Sequence, residues 1–97
     1  MRYINELREG DNVSEVYLCK VKNIAKTKAG KTYYSMILQD KTGVIDTKIW
    51  DLNNGIENFE QMDYIRVEGN VTSFQGSPQL NVRRLRKARD PMFQQEY

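Results

Sequence analysis

Apolar and polar residues alternate along most of this chain, and a period of two is typical of a β-strand with one buried face. Five stretches show it, separated by polar or glycine-containing turns; the predicted strands are 16–25, 33–39, 44–50, 63–74 and 79–85. The segment 51–62 differs, because Asn53-Asn54-Gly55 interrupts the alternation and Ile56, Phe59 and Met62 then recur at every third position. This spacing predicts a short helix of about two turns between the third and fourth strands.

Five strands with one short helix fit a closed sheet. An open five-stranded sheet would expose two unpaired edges, whereas closure into a barrel removes them and surrounds one core. The order of three strands, a helix and two strands is that of the OB-fold. The predicted fold class is therefore all-β: a five-stranded OB-fold Greek-key barrel with one short helix between strands 3 and 4. In this barrel, Ile56 and Phe59 plug the open end, and Gly69 in the middle of the fourth strand marks a bend or bulge.

The length and composition restrict the chemistry. Ninety-seven residues form one domain, predicted as an OB-fold domain over 1–89 followed at 90–97 by a tail or the start of a linker to a missing domain. The chain has no histidine and one cysteine, which excludes Ser–His and Cys–His nucleophiles, histidine metal ligands and a cysteine-rich zinc site. The lone Cys19, with no signal segment and no apolar run long enough for a membrane span, predicts a cytoplasmic protein that needs no membrane.

The net charge of +2 hides a strong segregation of charges. The segment 20–31 carries five lysines and no acid, and the segment 83–89 carries five basic residues and no acid. The other 78 residues hold five basic and thirteen acidic groups, which gives them a net charge of −8. Two basic segments on an acidic body favour an anionic partner, although a solvated strand face and a charged tail would give the same pattern.

The faces of the second and third strands separate a core from an aromatic surface. Their more apolar sets are expected to point inward: Tyr34, Met36, Leu38, Ile45 and Ile49. Tyr33, Lys48 and Trp50 then share the outer face, where an aromatic pair beside a cation suits a stacked base and its phosphate. Two alternatives remain: Trp50 covers the barrel where the helix docks, or a register slip of one residue exchanges Tyr33 and Tyr34.

Three acids near this face, Asp40, Asp46 and Asp51, carry carboxylates of the kind that bind magnesium. Asp40 is accounted for by a hairpin turn over Asp40-Lys41-Thr42-Gly43, and Asp51 by capping the predicted helix. We therefore expect no metal site and no cofactor in this chain.

The two loops that overhang the ligand face of an OB-fold carry basic and aromatic residues, although loop lysines would be exposed in any case. The loop between strands 1 and 2 is lysine-rich, Phe74 begins the loop between strands 4 and 5, and the arginines of the last strand either extend the positive surface or pair with acids elsewhere. The predicted nucleic-acid-binding set comprises the stacking residues Tyr33, Trp50 and Phe74 and the phosphate contacts Lys26, Lys28, Lys31, Lys48, Arg83 and Arg86.

Many of these residues belong to one pattern, Gly30-Lys31-x-Tyr33-x-x-x-x-Leu38-Gln39-Asp40-Lys41-Thr42-Gly43-x-Ile45-x-x-Lys48-x-Trp50-Asp51. It resembles the nucleic-acid-binding OB domains related to anticodon-binding domains and, more closely, the N-terminal OB domain of YhaM-type 3′→5′ exoribonucleases. Val67-x-Gly69-x-Val71 and Gln79-Leu80-x-Val82 fit the same family, so the resemblance covers about residues 10–87.

The resemblance implies a metal-dependent HD domain, named for its His-Asp pair, that follows the OB domain and performs the hydrolysis. Because this chain has no histidine, it is expected to lack catalytic residues, and a divalent metal is expected only in the missing catalytic domain. Contact with such a C-terminal HD domain is also implied.

The function predicted from these observations is binding of single-stranded nucleic acid, RNA by resemblance, as the substrate-binding module of a 3′→5′ exoribonuclease. RNA and DNA both remain open as ligands, because the sequence says nothing of contacts to a 2′-hydroxyl. The alternative is a protein-interaction or oligomerisation module without nucleic-acid binding, since OB barrels also bind proteins and form homo-oligomers through strand edges.

Overall fold

A computed structural model of the protein describes residues 2–88, and these form a 3₁₀ turn at Ile4–Glu6 followed by five strands. The strands are β1 (Asn12–Lys26), β2 (Thr32–Asp40), β3 (Gly43–Ile49), β4 (Tyr64–Phe74) and β5 (Ser77–Lys87). All five predicted strands are therefore present, and β1 and β5 are longer than predicted. The tail predicted at 90–97 lies outside the described residues. No helix in the described part of the chain is long and apolar enough to cross a membrane.

The strands close into a barrel in the order β1-β2-β3-β5-β4. β1 completes the circle because its first half pairs with β4 and its second half with β2. β3 and β5 pair in parallel over three residues, while the other neighbours are antiparallel. Since β4 separates β3 from β5 in sequence, this crossing makes the barrel a Greek key and confirms the predicted topology.

The core fills this barrel from the inner face of every strand. Met36, Leu38, Ile45 and Ile49 are buried as predicted, and Tyr34 is partly buried against the same cluster. Because successive residues of a strand point to opposite faces, this burial fixes the register and leaves Tyr33 outside.

A bulge lets β4 and β5 bend around the core. Their register shifts between Glu68 and Gly69, which face Arg84 and Val82 respectively, so Arg83 is the extra residue on β5. A Cβ atom on Gly69 would overlap the backbone carbonyl oxygen of Asn81. The predicted bulge at Gly69 is confirmed, and its cause is a backbone approach that leaves no room for a side chain.

The segment between β3 and β4 corrects the sequence prediction, because its described residues form no helix. Ile56 instead makes an isolated parallel bridge with Leu85: the Leu85 N–H donates to the Gly55 carbonyl at 2.8 Å and the Glu57 N–H donates to the Leu85 carbonyl at 2.9 Å. An isolated two-turn helix is marginal in water, whereas pairing with the edge of β5 satisfies these backbone groups.

The predicted plug of the barrel is present without the helix. Phe59 is 2% exposed, Ile56 packs partly buried against the core, and Met62, the third residue of the predicted stripe, is 60% exposed. Lys22, from the first basic segment, closes the same end: its Nζ donates to the Phe59 carbonyl at 2.7 Å and lies 4.7 Å from the centre of the Tyr34 ring. Lys22 therefore helps to close this end of the barrel and does not contribute to an outer basic surface.

The N-terminal turn closes the barrel beside the β2–β3 hairpin, which the sequence pattern did not indicate. Asp40 joins the two: its Oδ1 accepts from the Thr42 N–H at 2.8 Å, and its Oδ2 accepts from the Ile4 N–H at 2.7 Å. Ile4 and Leu7 are thereby held in the core. The predicted hairpin turn at Asp40 is confirmed: one carboxylate oxygen stabilises the turn and the other holds the N-terminal segment.

The close approach at Gly69 predicts a strong effect of a single methyl group. Gly69→Ala is expected to lower the free energy of unfolding by about 2–3 kcal/mol, because strand β5 must move to accommodate the new Cβ. Gly43→Ala is the control, since a Cβ there meets nothing within 4 Å, and it is expected to be nearly neutral. Urea unfolding of both variants measures the difference; equal stabilities would contradict this account of the bulge.

Cys19 predicts a pH dependence of stability. Burial raises the pKa of its thiol from 9.0 to about 11, because the thiolate is poorly solvated in the core. Between these values the unfolded chain binds fewer protons than the folded one, so stability falls as pH rises. Relative to Cys19→Ala, the wild type is expected to lose about 1–2 kcal/mol more between pH 8 and pH 11 in urea titrations. Parallel pH profiles of the two proteins would refute the assignment.

Candidate nucleic-acid interface

Tyr33 and Trp50 form an aromatic pair on the outside of the barrel. Tyr33 lies on β2, and Trp50 follows the last residue of β3, one position beyond the Tyr34–Ile49 pair. The ring centroids are 4.6 Å apart with planes inclined at 32°, and Trp50 is 43% exposed. Tyr33 and Trp50 therefore share an outer face as predicted. The alternative, that Trp50 covers the barrel where a helix docks, is wrong, because the described residues there form no helix and the Trp50 ring packs against Tyr33.

A hydrogen-bond network holds the indole of Trp50 in place. Its Nε1 donates to Oδ1 of Asn81 at 2.9 Å, and Nδ2 of Asn81 donates to Oγ1 of Thr72 at 2.8 Å. Gln79 adds a longer contact, from its Nε2 to Oδ1 of Asn81 at 3.4 Å. The network crosses from the end of β3 through β5 to β4, so three strands fix the orientation of one ring.

Lys48 lies on the same face but its charge is compensated. Its Nζ is 3.0 Å from Oδ1 of Asp46 and 3.0 Å from Oγ of Ser35, and its side chain is only 16% exposed. A phosphate at this position would have to compete with the Asp46 carboxylate. Lys48 therefore lies beside the aromatic pair, as predicted, with little of its charge available.

The β1–β2 loop presents its three lysines to solvent next to Tyr33. A compact turn shapes it: the Thr27 N–H donates to the Lys31 carbonyl at 2.9 Å, and Gly30 adopts a φ of +84°. Lys28 and Lys31 are exposed near the tip. Lys26 is also exposed but pairs with Thr32, so alternation directs it to the face opposite Tyr33.

Phe74 stands apart from the aromatic pair. It is 57% exposed at the end of β4, where it borders a small depression of about 230 Å³ together with Asp46 and Pro78. Asp46 precedes Trp50 by four residues, which is roughly 13 Å along a strand. The structure therefore brings Tyr33 and Trp50 together but leaves the third predicted stacking residue at the other end of the face.

The two predicted arginines of β5 lie on the side of Trp50 away from Tyr33. Arg83 and Arg86 are both exposed, and with Trp50 they line an open groove of about 1200 Å³. The sequence prediction missed further residues there, namely Arg66, Arg84 and Asn81. The outward direction of the Asn81 side chain could have been predicted from the sequence, because its neighbours Leu80 and Val82 are apolar and buried. Its bond to Trp50 could not, because that bond depends on the β3–β5 pairing.

Within residues 2–88, no group of three or more histidine, cysteine, aspartate or glutamate side chains is arranged to hold a metal ion. The three acids that the sequence offered as magnesium ligands each make another contact. Asp40 lies in the hairpin turn, Asp46 pairs with Lys48, and Oδ1 of Asp51 accepts from the Asn53 N–H at 3.0 Å.

Comparison with known proteins gives this surface a family context. A family model described as an OB-fold nucleic acid binding domain matches residues 19–88. A curated relative, the 3′-5′ exoribonuclease YhaM of Listeria monocytogenes, is 30% identical over 80 residues, which are 81% of this chain and 26% of that protein. The chain thus spans about a quarter of the length of this relative.

Solved structures share the barrel at low sequence identity. The second OB-fold domain of replication protein A from Methanococcus maripaludis superposes with a TM-score of 0.68 at 19% identity, covering 92% of this chain and 95% of that domain. A replication protein A heterotrimer bound to ssDNA gives a TM-score of 0.64 at 21% identity, covering 96% of this chain and 72% of the matched one. These similarities establish the fold as an OB barrel.

The bond between Trp50 and Asn81 predicts a local effect of one substitution. Asn81→Ala is expected to free the indole, reduce the near-UV circular dichroism of the single tryptophan and cost about 1 kcal/mol of stability. Asn70→Ala is the matched control, because Asn70 faces Asn81 across β4 and β5 but its side chain contacts Arg83, at 3.5 Å, and not Trp50. An unchanged tryptophan signal in Asn81→Ala would show that the bond does not orient the ring.

Proposed function

The chain belongs to the family of OB-fold nucleic acid binding domains, and from this premise we propose that it binds single-stranded RNA as the substrate-binding module of a 3′→5′ exoribonuclease. The observation that carries the proposal is the Tyr33–Trp50 pair on the outside of the barrel, in which Trp50 is exposed and Tyr33 partly buried. A base that stacks on this pair extends an existing aromatic stack, and such contacts contribute about 1–3 kcal/mol per base.

Preorganisation of the aromatic pair supports this role. Trp50 is bonded to Asn81, and Tyr33 has its backbone held in β2 opposite Ala25 and its ring against that of Trp50. A ring that already has its binding orientation loses little conformational entropy when a base stacks on it. Stacking also tolerates any base, because every base has a π-face, so we expect little sequence preference.

The basic residues around the pair supply the phosphate contacts in this proposal. Lys28 and Lys31 extend from the loop beside Tyr33, and Arg83 and Arg86 lie beyond Trp50. Lys48 contributes less, since Asp46 compensates its charge. A strand stacked on the pair therefore has cations on both sides.

The choice of RNA and the role in an exoribonuclease rest on the relative. YhaM of Listeria monocytogenes is named a 3′-5′ exoribonuclease, and this chain matches about a quarter of it. The replication protein A heterotrimer, described as bound to ssDNA, supports single strands as ligands of this fold. We propose that hydrolysis depends on groups outside residues 2–88, so the chain alone is expected to show no turnover with magnesium or manganese.

Titration of fluorescent oligo-U of about 12 nucleotides tests the proposal. Trp50→Ala is expected to weaken binding by about 1–3 kcal/mol, roughly 5- to 150-fold, because the stacking surface is lost. With about five phosphate contacts, log K against log salt is expected to have a slope of about −3 to −4. Oligo-dT is expected to bind more weakly than oligo-U.

Met62→Ala provides the control for this test, because it removes an exposed apolar side chain from the β3–β4 segment without touching the pair. It is expected to bind oligo-U like the wild type. No binding at low micromolar protein, or a flat salt response, would refute nucleic-acid binding. Sedimentation that showed tight self-association unaffected by oligo-U would favour the protein-interaction module instead. Equal affinity for oligo-dT would remove the preference for RNA.

A further inference from the structure

The groove beside Trp50 exists because β5 changes neighbours there. β3 pairs with β5 at Gln79, Leu80 and Asn81 and then departs, and Ile56 joins the same edge only at Leu85. In between, the chain arches away through Trp50–Asn54 and returns at Gly55, whose added Cβ would lie 3.1 Å from Cγ of Arg84. The arch and the edge of β5 enclose the open groove of about 1200 Å³.

Arginines dominate the walls of this groove. Arg66 comes from β4, and Arg83, Arg84 and Arg86 come from β5. The bulge explains this density, because the extra residue Arg83 precedes Arg84 on the outer face, while Leu85 is buried. Cross-strand pairing then places Arg86 opposite Arg66 and Arg84 opposite Glu68.

The acids of the groove are fewer than its arginines. Asp51, Glu57 and Glu68 also line it, so the four arginines exceed the acids by one. The ion pairs formed within residues 2–88 do not involve Arg83, Arg84 or Arg86. Oε1 of Glu57 accepts from the Lys87 backbone N–H at 2.8 Å, which engages that carboxylate with the end of β5.

We propose that this groove binds the phosphate backbone of the same single strand and leads it from the Tyr33–Trp50 pair along β5. The proposal rests on the proposed function and defines the path of the ligand. Trp50 belongs both to the aromatic pair and to the lining of the groove. A base stacked on the pair therefore brings its neighbouring phosphates to the entrance of the groove. Guanidinium groups bind phosphate oxygens in a bidentate manner, and Arg84 and Arg86 are placed to do so.

The opposite path, toward Phe74, is electrostatically poorer. It crosses Asp46, whose carboxylate is partly exposed, and the cation beside it, Lys48, is already paired. Along β5, by contrast, the distance from Asn81 to Arg86 is roughly 17 Å, and the three arginines on the way form no ion pair within residues 2–88. Phe74 therefore lies off the main path of the strand, although the sequence pattern placed it in the binding set.

Two ligand lengths separate this proposal from the function on which it rests. A uridine dinucleotide can occupy the stack alone, whereas oligo-U of about 12 nucleotides also reaches the groove. Arg84→Gln/Arg86→Gln is expected to weaken the long oligomer much more than the dinucleotide and to make the salt slope for the long oligomer shallower by about 1.4, which is the effect of two lost phosphate contacts on a single strand. Trp50→Ala is expected to weaken both ligands.

A charge-matched control excludes a general electrostatic effect. Lys20→Gln/Lys41→Gln removes two exposed cations outside the groove and is expected to change the slope much less. Arg86→Gln alone, expected to shift the slope by about 0.7, covers the case in which loss of Arg84 disturbs the packing on Gly55. An unchanged slope in the double variant, or an equal shift in the control, would overturn the groove path while leaving the stack intact. Loss of all oligo-U binding in the wild type would instead refute the proposed function itself.

Discussion

The closure of the barrel depends on the backbone hydrogen bonds that strand β5 makes with its neighbours. On one side it pairs with β4 along nearly its whole length, and on the other it pairs first with β3 and then with Ile56. The barrel closes only because β5 bridges β3 and β4. The close contact of Gly69 with the Asn81 backbone sets where that bridge bends.

The outer surface follows from the same pairings. Parallel pairing with β3 brings Asn81 beneath Trp50, where its side chain orients the indole. The bulge then adds Arg83 to the outer face, and the gap before Leu85 opens the groove. One set of backbone contacts therefore closes the core and also arranges an aromatic platform beside a row of guanidinium groups. Stacking and phosphate binding need such a combination.

The distribution of charge also takes its meaning from the fold. In the first basic segment, Lys22 packs over the rings of Tyr34 and Phe59 and closes one end of the barrel. Lys28 and Lys31 of the same segment are exposed to solvent beside Tyr33. The second segment divides as well, since Lys87 pairs with Asp63 at 3.5 Å whereas Arg84 and Arg86 line the groove. Sequence proximity alone did not distinguish structural cations from those available to a ligand.

The sequence by itself determined the strands, the Asp40 turn, the bulge at Gly69 and the outward direction of Tyr33 and Trp50. Each depends on local chemistry: alternation along a strand, a side chain that caps a turn, or a residue without a Cβ. The tertiary structure decided the rest. Ile56 lies extended because Leu85, 29 positions away, offers its backbone, and Trp50 is oriented by Asn81, 31 positions away. Pairings between distant strands select among local conformations of similar energy, and no pattern within a single segment contains that information.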